Sequence, residues 1–141
     1  MTERYFIPAQ GADLQALKTV LATAIKLAEE NKSAIVLVVP ALKYIQGSIL
    51  NRVVNETSLK GMVKGKTVRF HGVTMRMVSR QTFSPHRNDK VLLALWGGEN
   101  LLHKVDEAKS AVAVVAISWI KSDIERWALK HNAKELTTLV I

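Results

Sequence analysis

Between Lys60 and Lys90 the chain carries eight basic side chains, Lys60, Lys64, Lys66, Arg69, Arg76, Arg80, Arg87 and Lys90, against the single acid Asp89. Eight minus one gives this stretch +7 of the +8 net charge formed by 20 basic and 12 acidic residues, so the excess is local. A local positive field suits a local anionic partner, and contacts to phosphates release counterions and weaken steeply with salt. Lys64, Lys66, Arg69, Arg76, Arg80, His86 and Arg87 are the candidate phosphate-binding residues. A charged edge that stays solvated and blocks strand pairing is the alternative origin of the same pattern.

A second group of candidates follows from where apolar runs stop. Pro8-Ala9-Gln10-Gly11, Pro40-Ala41-Leu42-Lys43-Tyr44, Trp96-Gly97-Gly98-Glu99 and Ser118-Trp119 each end such a run. In an open parallel sheet, ligands collect at the carboxyl ends of the strands, where helix amino termini offer free N–H groups. Gln10, Gly11, Lys43, Tyr44, Trp96, Gly97, Gly98, Ser118 and Trp119 are therefore expected to line one crevice. Trp96 and Trp119 end neighbouring strands and could stack on a base there, although ordinary rim packing is the simpler explanation of both. If the chain is instead an enzyme acting in this crevice, Arg80, His86 and Arg87 would form a lid over it, with His86 the one proton-transfer group near neutral pH.

Other chemistry finds no support. The chain has no cysteine, which excludes disulfides, thiolate catalysis and Cys-ligated metals. His71, His86, His103 and His131 fall in no His-x-x-x-His or Glu-x-x-His spacing, so no metal site is expected. No Gly-x-Gly-x-x-Gly, P-loop, Gly-x-Ser-x-Gly or Ser-x-x-Lys pattern occurs, and no catalytic residue or cofactor is assigned. Asp13, Glu99 and Asp123 stand in first turns of expected helices, where an acid complements the dipole whatever the chemistry.

The elements that must position these residues follow from periodicity. Arg4–Ala9 reads as a first strand. Leu14, Leu17, Val20, Leu21, Ala24, Ile25 and Ala28 mark a helix that follows Asp13. Ser33–Val39, Lys90–Trp96 and Ala111–Ile117 are unbroken apolar runs, as strands buried on both faces are. Ser48 is expected to cap a helix carrying Ile49, Leu50, Val53 and Val54. Lys66–Gln81 reads as a hairpin turning at His71-Gly72, with Val68, Phe70, Val73, Met75 and Met77 on an apolar face and Arg69 and Arg76 on a basic one. Leu101, Leu102, Val105 and Ala108 mark a further helix. Ser122 and Glu125 have capping-box spacing for the last helix, in which Trp127 is a core residue, and Leu136–Ile141 is expected as an edge strand.

With 141 residues, 48% hydrophobic and 23% charged, the chain suits one domain spanning 1–141. The order β-α-β-α-hairpin-β-α-β-α-β predicts an α/β fold: a single Rossmann-like three-layer domain, with a mostly parallel sheet, helices on both faces and an inserted basic hairpin near residues 66–81. No membrane span or leader is recognised, and a soluble, cytoplasmic protein is expected. The leading expectation is a non-catalytic binding module for nucleic acid or a nucleotide. An enzyme acting on a nucleotide-like or phosphorylated small molecule, and a structural subunit of a larger complex, are the alternatives. The apolar hairpin face and the carboxyl-terminal edge must both be covered, either by packing back on the sheet within a monomer or by a homodimer.

Overall fold

In a computed structural model, residues 2–9, 13–45 and 48–137 are described, Tyr44 by its backbone only. The elements are β1 (Glu3–Phe6), α1 (Leu14–Asn31), β2 (Ile35–Val39), α2 (Glu56–Val63), β3 (Val68–Phe70), β4 (Val73–Ser79), β5 (Val91–Leu95), α3 (Glu99–Asp106), β6 (Ala113–Ile117), α4 (Lys121–His131) and β7 (Lys134–Glu135), with 3-10 turns at Leu42–Tyr44 and Ile49–Arg52. The strands form one sheet in the order β3-β4-β2-β5-β6-β1-β7, parallel throughout except for β3 against β4. The fold is α/β.

Alternation along the buried strands divides the interior into two cores. Ile35, Leu37 and Val39 of β2 join Val91, Leu93 and Leu95 of β5 beneath α1 and α2. Val36, Val38, Leu92 and Ala94 face the opposite core with Leu101, Leu102 and Val105 of α3 and Ile124, Trp127 and Ala128 of α4. Connections over the α1 and α2 face move toward the β3 edge, and those over the other face move toward β7. One crossover handedness requires this pairing of direction with face. The first strand is not beside the second: β1 sits between β6 and β7. At about 1.5 Å per residue the 18 residues of α1 run roughly 27 Å, enough to recross β6 and β5 before β2 begins.

The β3–β4 register places Val68 opposite Met75, Arg69 opposite Thr74 and Phe70 opposite Val73. His71 and Gly72 take φ of 49° and 82°, the positive pair that a two-residue primed turn needs. Val73, Met75 and Met77 are buried in the α1-side core, and Val68 and Phe70 pack against it. The apolar face is thus covered within the chain.

Several element boundaries differ from the sequence expectation. Ser48 caps only a 3-10 turn, its Oγ accepting from the Leu50 N–H at 3.3 Å. The helix begins instead after Asn55, whose Oδ1 accepts from the Ser58 N–H at 2.8 Å. β-Branched Val53 and Val54 disfavour one continuous helix, and Asn55 followed by Glu56 supplies a better start. The Ser122–Glu125 capping box does not form, because α4 already begins at Lys121 with Ile120 as its N-cap. The final strand is Lys134–Glu135, paired with β1, and residues 138–141 of the expected edge strand lie outside the described residues.

On β1, the Tyr5 hydroxyl donates to Glu3 Oε2 at 2.6 Å. That hydrogen bond to the neutral phenol, then partial burial, then the charges of Glu3 and Glu30, push Tyr5 up from 10 to about 12. A raised folded-state value means that the unfolded chain loses this proton first. The contribution to stability is therefore constant below pH 10 and falls as pH rises from 10 through 12. Ultraviolet titration of the phenolate is expected to show one tyrosine near pH 12 that moves down in Glu3→Gln; an unchanged midpoint would reject the assignment.

Candidate functional site

At the carboxyl edge of the sheet, β2 and β5 are neighbours whose chains leave to opposite faces, β2 toward α2 and β5 toward α3. Ligand crevices form at such switch points. Here Pro40, Arg80, Gly97, Gly98, Asn100 and Asp123 line a crevice of about 380 Å³. The chain enters it through Trp96, a bulky residue at φ 57°, where left-handed backbone costs on the order of 1–2 kcal/mol. Trp96 is held there by its N–H donating to the Ile117 carbonyl at 2.7 Å. The fully buried Ser118 hydroxyl donates to the Gly97 carbonyl at 2.6 Å and accepts from the Ile120 N–H at 3.3 Å. Gly98 is the N-cap of α3, and no side chain caps it.

Charge around the crevice is nearly balanced. Arg126 Nη2 lies 2.9 Å from Glu99 Oε1 and 2.7 Å from Asp123 Oδ1, so one guanidinium holds both acids. Arg80 is exposed on the rim, its N–H donating to the Val39 carbonyl at 2.8 Å, and Lys104 Nζ donates to the Arg80 carbonyl. Beyond the shared wall of Glu99, Asn100 and Asp123, a groove of about 340 Å³ runs between α3 and α4 past His103, Lys130 and His131.

The expected crevice residues are only partly brought together. Gly97 and Gly98 line it. Trp96 does not: it packs against the α1-side core, with its indole Nε1 buried and unpartnered. Trp119 is 53% exposed and lines no part of the crevice, so the expected stacking pair is not formed. Ser118 is a brace rather than a wall. Lys43 is exposed in the 3-10 turn after β2. Gln10, Gly11 and the Tyr44 side chain lie outside the described residues.

The basic residues divide in the same way. Lys64 and Lys66 are exposed between α2 and β3. Arg69 is exposed on β3 and donates from Nη2 to the Gly72 carbonyl at 2.9 Å. Arg76 is 19% exposed and is paired with Asp89 at 2.8 Å, while Arg87 Nε lies 3.9 Å from the same carboxylate. Asp89 thus neutralises part of the positive face. Arg87 also accepts from Ser110 Oγ through its carbonyl, beside the amino ends of the strands. Arg80 is at the opposite edge, and the exposed His86 does not line the crevice. The expected lid of Arg80, His86 and Arg87 is therefore not assembled. No known protein family, curated protein or solved structure matches the chain.

Two arrangements lay beyond the sequence. Asp106, the last residue of α3, accepts from Arg4 Nε at 3.0 Å and Trp127 Nε1 at 2.9 Å, with His131 Nε2 at 2.8 Å. These partners come from β1 and α4. A cleft at the amino edge gathers Lys32 and Ser33 with Arg69 and Thr74. Among the described residues no group of His, Asp and Glu could hold a metal ion, and no helix is long and apolar enough to cross a membrane.

Proposed function

We propose that the protein is a binding module for an anionic ligand, a nucleic acid or a nucleotide, engaged along the β3 edge of the sheet. One observation carries this: Lys64, Lys66 and Arg69 are exposed on that edge, and among the described residues no carboxylate is paired with any of them. Unpaired surface cations in a row form the electrostatic footprint of a phosphate backbone. Arg76, held by Asp89, contributes less.

Fluorescence anisotropy with single- and double-stranded DNA and RNA over several salt concentrations tests this. Each lost phosphate contact lowers the slope of log affinity against log salt by about 0.9. Lys66→Ala with Arg69→Ala should therefore lower the slope by about 2, and Arg76→Ala by less. Absence of binding at about 50 mM salt, or a double variant that binds like the parent chain, would reject the proposal.

The switch-point crevice favours a second role, holding a phosphorylated small molecule between Arg80 and the open start of α3. A ligand there stabilises the fold in proportion to its occupancy. A panel of mononucleotides that leaves the melting temperature unchanged would remove it.

A further inference from the structure

We propose that the cleft between the end of α1, the start of β2 and the β3–β4 turn is a seat for a single phosphate group. This rests on the proposal above, in that Arg69 faces the same anionic ligand. The cleft has a volume of about 530 Å³ and is lined by Glu29, Lys32, Ser33, Arg69 and Thr74. The two cations outnumber the one acid. A helix end ordinarily presents acceptor carbonyls, which repel anions, but here the Ala28 and Glu29 carbonyls of the last turn are already occupied. The Ala28 carbonyl accepts from the Ser33 N–H at 2.9 Å, Glu29 from the Lys32 N–H at 3.3 Å, and Leu27 from Asn31 Nδ2 at 2.8 Å. The Gly72 carbonyl is likewise occupied by Arg69. What faces the cleft is then two cations and two hydroxyls against the single carboxylate of Glu29.

Ser33 supplies the independent observation. Its hydroxyl is buried and has no hydrogen-bond partner. Buried hydroxyls are nearly always satisfied, and an orphan costs stability. No hydrogen bond holds Ser33 Oγ inward, so a rotation about χ1 turns it to the cleft without breaking one. There it would donate to a phosphate oxygen beside the Arg69 guanidinium, whose Nε and second amino group are not used by Gly72. Lys32 sits at φ 51° as the left-handed C-cap of α1, exposed at the mouth of the same cleft.

An orphan hydroxyl kept for a ligand is dispensable for the fold. Ser33→Ala should leave the melting temperature unchanged or raise it, yet weaken phosphate binding about tenfold, the effect of one hydrogen bond to a charged group. The test is a ¹⁵N NMR titration of the full chain with inorganic phosphate and, separately, with a thymidine hexanucleotide, repeated on Ser33→Ala and Lys32→Ala. The expected result is that phosphate shifts the amides of residues 32–34 and 72–74, that the hexanucleotide shifts the same amides, and that both variants weaken the response. If the hexanucleotide binds but phosphate leaves these amides unmoved and Ser33→Ala binds like the parent chain, the cleft is overturned while the β3-edge proposal stands. If phosphate shifts the amides and no oligonucleotide binds, the cleft holds a small anion and the polymer proposal fails. If neither phosphate nor the hexanucleotide shifts any amide of the chain, both fail.

Discussion

Asp106→Ala is expected to lower the stability of the fold by about 3 kcal/mol, the largest effect of any single substitution considered. The carboxylate is only 12% exposed and the Arg4 side chain 19%. Removing one partner of a buried ion pair costs roughly 3–5 kcal/mol because the other charge is stranded, and the partial exposure of Arg4 reduces this. The orphaned Trp127 indole N–H adds about 1–3 kcal/mol. For a domain of this size the loss corresponds to roughly a 10 °C fall in melting temperature. Asp106→Asn keeps an acceptor and should fall between. His131→Ala should cost less than either, since it removes one contact and strands no buried charge. Binding at the β3 edge should survive below the melting transition, because Asp106 ties β1, α3 and α4 on the far side of the sheet. Thermal and urea denaturation that place Asp106→Ala within 1 kcal/mol of the parent chain would reject this account.

Asp106 also shows what kind of signal a sequence can hold without disclosing its meaning. An acid at the last position of a helix opposes the helix dipole, and α3 ends in Asp106 with Glu107 following. That local misfit has its explanation in Arg4 and His131, 102 residues upstream and 25 downstream, which no periodicity could connect. By contrast β2, β5 and β6 were legible because strands buried on both faces must be apolar at every position. β4 was legible for the opposite reason, one buried and one half-buried face giving apolar–polar alternation from Val73 to Met77, which ends where Val78 packs on the α3–α4 core and Ser79 is buried. The strand order was not, since α1 could have returned to a neighbouring position as well as recrossing two strands.

The crevice was half legible on the same grounds. Gly97 and Gly98 follow a buried strand, and the strand-end rule places them correctly. The same rule fails for Trp96, which ends the strand but turns its side chain, with Leu95, against the α1-side core. Its positive φ breaks the pleat, and nothing in a Trp codon or its neighbours announces a left-handed residue. The amino-edge cleft was invisible for a simpler reason: Lys32 and Ser33 meet Arg69 and Thr74 only after β4 pairs with β2.

Gly97→Ala should be the second most damaging change, and for a steric reason distinct from backbone freedom. A Cβ at this position would stand 2.6 Å from Leu101 Cβ and 2.7 Å from its Cγ and Cδ2. Leu101 is 2% exposed and packed in the α3–α4 core, so it cannot swing aside. The first turn of α3 must shift instead, at a cost of about 1–3 kcal/mol for overpacking. That shift also pulls on the Gly97 carbonyl held by Ser118 at 2.6 Å, so the crevice wall moves with it. Gly98→Ala is the matched control: its Cβ would meet nothing closer than Asp123 Oδ2 at 3.5 Å, leaving only the weaker capping of alanine, on the order of 0.5–1 kcal/mol. The two neighbours should therefore differ by about 1 kcal/mol in chemical denaturation. Any mononucleotide that stabilises the parent chain through the crevice should lose its effect in Gly97→Ala, while oligonucleotide binding at the β3 edge persists at temperatures where the variant is folded. Equal losses for Gly97→Ala and Gly98→Ala would show that α3 is not pinned against this turn, and would remove the steric basis for the crevice as a fixed site.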